Sequence, residues 1–177
     1  MPASPNDLAL IEASSLEDQL VAFFDAHYDR VIRLAGLVCH VGNSAEDAVQ
    51  AGMEQAWRQR RSLRDPKRLR WWLDRIVVRE AIRLNRRPWW RRSEESIDDH
   101  ARLLADPSAT VTPARLVLAA AFRTLPVAQR AAVVLHLHLG YSVAETADLT
   151  GASLETTRSR LRLARRRLRA ELAEGPS

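Results

Sequence analysis

Two adjacent tryptophans, Trp71 and Trp72, stand among Arg68, Arg75, Arg79, Arg83, Arg86 and Arg87. Counted from Arg75 at helical pitch, Arg68, Trp71, Trp72, Arg79, Arg83 and Arg86 lie within about 80° on one side, and Leu69, Leu73, Ile76, Val77 and Leu84 lie opposite. Guanidinium groups neutralise phosphates, while indole rings stack on unpaired bases at roughly 1–3 kcal/mol each. The pattern is therefore suited to single-stranded nucleic acid. A lone tryptophan on a helix more commonly packs into a core. Two in succession cannot easily enter the same core, which predicts at least one of them exposed or at an interface.

A second constellation lies near the C-terminus. Ser142-Val143-Ala144-Glu145 has the capping-box pattern, in which hydroxyl and carboxylate each satisfy an orphan amide. Thr150-Gly151-Ala152 is a turn, and Ser153 is an N-cap for a basic helix. This is the helix-turn-helix arrangement. Leu154, Thr157, Leu161, Ala164 and Leu168 share one face of the second helix; Glu155, Ser159, Arg162 and Arg166 share another. Arginine can bridge guanine O6 and N7, so Arg158, Ser159 and Arg162 are the candidate base contacts, and Arg160, Arg165, Arg166, Arg167 and Arg169 suit phosphates. An arginine run alone is also what a solvated amphipathic helix carries. The capped helix, glycine turn and basic second helix together favour the DNA-facing reading.

Other chemistry finds no support. His136 and His138 are two apart and diverge on a helix, while His27 and His40 have no ligand-spaced carboxylate or thiolate, so no metal is expected. Cys39 reads as a small buried hydrophobe. There is no glycine-rich phosphate loop and no Ser/His/Asp set, so neither an enzyme, a cofactor nor a small-molecule substrate is expected.

The elements that position these residues are helices throughout. The chain has 177 residues, 46% hydrophobic and 28% charged, with a net charge of +5. That length allows one ordinary domain or two small ones with a folded core. A single cysteine excludes a disulfide framework, the N-terminus is acidic rather than leader-like, and no apolar run can span a bilayer; a cytoplasmic protein without a membrane partner is expected. The small net charge hides segregation: residues 58–92 hold 14 basic against 3 acidic residues, and residues 158–177 hold 7 against 2, whereas residues 1–57 hold 2 against 9. Of the 27 basic residues all but Lys67 are arginine, the side chain better fitted to bidentate phosphate and base contacts. Two separated arginine blocks are the footprint of two polyanion contacts.

Periodicity predicts helices over about 16–38, Ser44 to Arg60, Pro66 to Arg87 with Pro88 closing, 113–122, 126–139, a short one after Ser142 and a long one after Ser153. In the first of these the apolar stripe runs through Leu16, Leu20, Phe23, Phe24, His27, Tyr28, Val31, Leu34, Ala35 and Val38. The expected fold is all-α: an N-terminal tail (1–15), a helical domain (16–92), a flexible acidic linker (93–112) and a helix-turn-helix domain (113–174).

Both halves resemble one family. Ser44 to Gln50 through Ala56-Trp57-Arg58, then Arg70 to Ile76, resembles region 2 of extracytoplasmic-function sigma factors of the sigma-70 family. Leu125 to Arg130, Gly140 to Ala147 and Thr156 to Leu168 resemble their region 4. The resemblance covers roughly residues 16–92 and 113–172, and it implies a subunit that binds core RNA polymerase and directs it to promoters. On that basis Glu46, Asp47, Gln50 and Glu54 would dock on the polymerase clamp helices, with Ala45, Val49, Gly52, Met53 and Ala56 forming the packing face. Arg58, Arg60, Arg61, Arg68, Trp71, Trp72, Arg75, Arg79, Arg83, Arg86 and Arg87 would open and hold the minus-ten element, and Ser153, Thr156, Arg158, Ser159, Arg160, Arg162, Arg165 and Arg166 would read the minus-thirty-five duplex. An anti-sigma factor is a further partner implied for many members.

Some positions depart from the family pattern. Ala51 and Gly52 replace an acid and a larger apolar residue, Arg79 and Arg83 replace a frequent Asn and Asp, and Leu163 replaces a frequent Arg, so the promoter sequence is not carried over. Two other readings address the same residues. A helix-turn-helix regulator acting without polymerase explains residues 113–172 but leaves the Trp/Arg face and the Glu46 to Glu54 face unused. A regulatory protein that binds polymerase without promoter activity fits the changes at Ala51 and Gly52.

Overall fold

The computed structural model describes residues 16–39, 42–85 and 112–174. Helix α1 spans Leu16–Val38, α2 Gly42–Gln59 and α3 Leu69–Asn85, with 3-10 turns at Arg60–Ser62 and Pro66–Arg68 between the last two. Helix α4 spans Pro113–Arg123, α5 Val127–Val133, α6 Val143–Thr150 and α7 Leu154–Glu174. No strand occurs among the described residues. The all-α expectation holds. Helix α2 starts two residues ahead of Ser44, and the expected linker, Arg86 and Arg87 lie outside the described residues.

Helices α1, α2 and α3 form a three-helix unit. Glu17 and Asp18 favour the start of α1 by complementing its dipole. The inward stripe of α1 is Leu20, Phe23, Phe24, Val31, Leu34, Ala35 and Val38, whereas Tyr28, expected on it, is exposed. Asp65 accepts from the Lys67 amide and Pro66 sits at the first position, so the turn before α3 is capped in the ordinary way. Helix α2 crosses α3 at Gly52. A Cβ there would come within 2.9 Å of Val77 Cγ2 and 3.4 Å of its Cα. The mid-helix glycine thus has a packing reason that helix propensity does not reveal.

The C-terminal unit is built from α4 to α7. The expected helix over 126–139 is two elements: α5, then a π-turn over Val134–His138. Widening that last turn feeds into Gly140, at φ 75°, a conformation glycine adopts without a Cβ penalty. The chain then folds back, with the Tyr141 amide donating to the Leu135 carbonyl at 3.0 Å.

The two units share a core. Val31, Leu34, Ala35, Val77, Val78 and Ala81 from the first unit pack in one buried cluster with Phe122, Leu125, Ala131, Val134, Leu135, Leu149 and Leu161 from the second. Cys39 is buried in it. A second cluster, Leu20, Phe23, Phe24, Ala56, Leu69, Trp72, Leu73 and Ile76, belongs to the N-terminal unit alone. Helix α3 therefore buries residues toward α1 and α2 and also toward the C-terminal unit. Replacing Gly52 by Ala gains helix propensity yet drives a methyl into Val77, so Gly52→Ala is expected to destabilise the fold by about 1–2 kcal/mol in urea unfolding, the direction set by overpacking.

Candidate nucleic-acid interface

On the outer side of α3 the Trp71 ring is half-buried and flanked by two guanidinium groups, Arg68 at 4.8 Å and Arg75 at 5.1 Å from its centroid. Burial, followed by the charge of Arg79, lowers the pKa of Arg75, with Arg68 adding to the effect. Cations crowded around one ring repel one another, and an anion placed among them relieves that repulsion. Trp72 lies elsewhere. Its side chain is 3% exposed and packs with Phe23, Leu69 and Leu73, so its expected place on the Trp71 face is corrected. The reason is the tight α1–α2–α3 packing, whose buried arc on α3 is wider than a single stripe.

The other arginines of this block have specific neighbours. Arg83 pairs with Glu80 at 2.7 Å, one turn back. Arg60 pairs with Glu17 at 2.8 Å, donates to the Trp57 carbonyl and covers the Trp57 ring. Arg58 contacts Gln55 and Glu54, and Arg61 is exposed. Arg79 reaches across to the C-terminal unit, where Nη2 donates to the Asp148 carbonyl at 2.7 Å and Nε to the Leu149 carbonyl at 3.2 Å. Those carbonyls end α6, where orphan acceptors and the negative dipole end favour a cation.

The seam between the units holds a buried polar cluster that sequence reasoning missed. Asp74, 1% exposed, accepts from both terminal nitrogens of Arg30, at 2.6 and 3.1 Å. The Tyr141 hydroxyl donates to the same carboxylate at 2.8 Å. The signal available was an acid on the apolar side of α3, between Leu73 and the Ile76-Val77-Val78 run. His136 Nδ1 lies 2.7 Å from the Tyr141 carbonyl and fixes that residue from its other end. Lys67, Arg68, Arg70 and Trp71 from one unit and Leu139, Tyr141 and Glu145 from the other line a crevice of about 100 Å³.

The helix-turn-helix follows its sequence pattern closely. Ser142 and Glu145 form the reciprocal capping box, at 3.2 and 2.8 Å. The amide of Ser142, followed by its side chain, holds the Glu145 carboxyl below its ordinary value. Gly151, at φ 68°, closes α6, and the Ala152 amide donates to Ala147. Ser153 Oγ accepts from the Thr156 amide at 3.1 Å and donates to Thr156 Oγ1, so both residues serve the N-cap of α7. Thr157, Leu161 and Ala164 are buried as expected, while Leu154 in the first turn is exposed. Arg158, Arg162, Arg165 and Arg166 are exposed, Ser159 and Arg160 partly so. A groove of about 560 Å³ runs along this helix, lined by Arg158, Arg162, Arg165, Arg166 and Arg169 with His136, Val143 and Leu161.

On α2, Glu46, Asp47, Gln50 and Glu54 form an exposed row, while Ala45, Val49, Gly52 and Ala56 are buried behind it. Beside the row lies an apolar groove of about 450 Å³ between Leu20, Val21, Phe24, Met53 and Trp57. Its spacing signal was present in the sequence, Val21 to Phe24 and Met53 to Trp57 at three and four residues. Among the described residues no helix is long and apolar enough to cross a membrane, and no cluster of three metal-binding side chains occurs.

Known proteins place this arrangement. Residues 23–91 match the family described as Sigma-70 region 2, and residues 115–168 match Sigma-70, region 4. The chain is 38% identical over 151 residues to the ECF RNA polymerase sigma factor SigM of Mycobacterium tuberculosis, covering 85% of this chain and 74% of that one. It belongs to the extracytoplasmic-function sigma factors of the sigma-70 family. A further relative of this sigma factor is SigE of Mycolicibacterium smegmatis, 34% identical over 156 residues, covering 85% of this chain and 60% of that one. In fold it is similar to CnrH, solved in complex with the cytosolic domain of CnrY (TM-score 0.63, 22% identity, 96% of both chains). It is also similar to RpoE of Bartonella quintana, solved with the anti-sigma factor NepR (TM-score 0.61, 23% identity, 86% and 96%). As a sigma factor it directs transcription initiation, and such factors are not themselves enzymes.

One pH dependence follows from the seam. Burial first, then the charge of Asp74 and the hydrogen bond to it, pushes the Tyr141 hydroxyl pKa well above the ordinary phenol value. The folded state therefore holds this proton more tightly than the unfolded chain does. The resulting stability is complete below the unfolded value of about 10 and is lost as pH rises beyond it. Chemical unfolding of the full chain is expected to show stability declining above about pH 10, and the decline is expected to be shallower in Tyr141→Phe.

Proposed function

We propose that this sigma factor holds the melted minus-ten strand on α3 and the turn before it, reads the minus-thirty-five duplex with α7, and docks on the polymerase clamp helices through α2. What carries the reading is the unlike make of two arginine surfaces. One centres on a half-buried indole between Arg68 and Arg75, suited to an unstacked base and its flanking phosphates. The other is a groove lined by five arginines and no tryptophan on a capped helix-turn-helix, suited to a major groove.

On the first surface Trp71 is the stacking platform, with Arg58, Arg60, Arg61, Arg68, Arg75, Arg79, Arg83, Arg86 and Arg87 along the strand. Trp72 supports Trp71 from the core. On the second, Arg158, Ser159 and Arg162 meet base edges, and Arg160, Arg165 and Arg166 meet phosphates. Ser153 and Thr156 bring the α7 N-terminus to the backbone. Glu46, Asp47, Gln50 and Glu54 present acceptors to a basic stretch of the polymerase. An anti-sigma factor is part of the reading, supported by the RpoE neighbour solved with one.

Run-off transcription with purified core polymerase over a genomic promoter library is expected to give discrete transcripts; their absence, alongside specific duplex binding by the chain alone, would falsify the proposal. Trp71→Ala is expected to abolish permanganate reactivity of the minus-ten thymines while core binding persists. Trp72→Ala, by contrast, is expected to lose about 3–5 kcal/mol of stability, because it empties a core site. Arg162→Ala is expected to relax selection at one base pair of the upstream element, costing roughly 1–3 kcal/mol there and little elsewhere.

A further inference from the structure

The first DNA-facing surface is not open in the free chain. Arg79 is turned onto the end of α6, with its two hydrogen bonds to the Asp148 and Leu149 carbonyls. Its guanidinium also lies 3.4 Å from where a Cβ on Gly151 would stand, so it rests directly against the turn of the helix-turn-helix. Five residues before Arg79 in α3, Asp74 accepts from the Tyr141 hydroxyl, which enters the seam from the C-terminal unit. Leu139, Tyr141 and Glu145 then face Arg68 and Trp71 across a crevice of about 100 Å³, too confined for a base and its sugar-phosphate. All of these contacts join the C-terminal unit to the surface that the melted strand would need.

We propose that Tyr141 and Arg79 form a polar latch which, added to the apolar core that the units share, holds the helix-turn-helix over the minus-ten surface, so that the free sigma factor is closed and the two units must part before the strand is engaged. The masking half of this inference rests on the function proposed above; the latch itself does not. Its two contacts differ in what they leave behind. Without the Tyr141 hydroxyl, Asp74 keeps both hydrogen bonds from Arg30, an ion pair internal to the N-terminal unit. Tyr141→Phe therefore removes one contact between the units without stranding a buried charge. On opening, the α6 carbonyls are rehydrated, while Arg79 is released to meet a phosphate. The latch is thus made partly from a group that the DNA itself would reclaim, which couples strand capture to opening.

The full chain tests this when dyes are placed in the folded state at Asp25→Cys and Glu171→Cys, exposed positions on the two units, whereas Cys39 is buried. Energy transfer is followed through a urea titration in parallel with helix content. The expected result is high transfer in the starting chain and parting of the units at lower urea than helix loss. Tyr141→Phe is expected to shift the closed-to-open ratio about tenfold toward open, the worth of a hydrogen bond to a charged group. Arg79→Met, which keeps bulk and removes the donors, is expected to do the same independently. An unmoved parting midpoint in both variants, or parting that coincides with helix loss in every chain, overturns the latch. Binding of a short oligothymidylate, read by quenching of tryptophan fluorescence, separates the two halves: a gain in Tyr141→Phe that tracks opening supports the masking. Opening without a gain leaves the latch standing and counts against the minus-ten reading of this face.

Discussion

A carboxylate that is 1% exposed sets the terms for the rest of this structure. Removing a charge from water costs several kcal/mol unless strong partners replace the lost hydration. Asp74 receives two hydrogen bonds from Arg30 and one from Tyr141. The first two tie α3 to α1, and the third ties both to the segment after the π-turn. Helix α3 is consequently the member on which both units converge, with its apolar residues divided between two clusters.

The same helix bears the aromatic-cationic surface, so stability and function compete for its circumference. Trp72 goes to the core, and Trp71 stays at the rim between two arginines. Gly52 allows α2 to approach Val77 closely enough to keep this three-helix packing tight, and that packing turns the acidic row of α2 outward. The departure from the family pattern at Gly52 is thereby accounted for by helix contact. Nothing in the structure explains the replacement at Leu163.

Much of the local architecture was legible in the chain. The capping box at Ser142, the left-handed turn at Gly151 and the Ser153 cap depend on neighbours within four residues, and each formed as its spacing indicated. The inward face of α7 held at Thr157, Leu161 and Ala164, and failed at Leu154 in the first turn, which is exposed. The long helix expected over 126–139 was misread because a π-turn differs from an α-helix by one residue in the hydrogen-bond ladder, which periodicity over five residues does not resolve.

By itself the sequence determined the all-helical class, the helix-turn-helix and the segregation of arginine into two blocks, because helix periodicity, capping and charge are properties of short windows. It also carried the resemblance that the relatives bear out. Only the tertiary structure decided which tryptophan is buried, what Asp74 pairs with and where Arg79 points. Those outcomes depend on residues 44, 67 and about 70 positions apart, brought together by the packing of one unit on the other, and no local pattern encodes such distances.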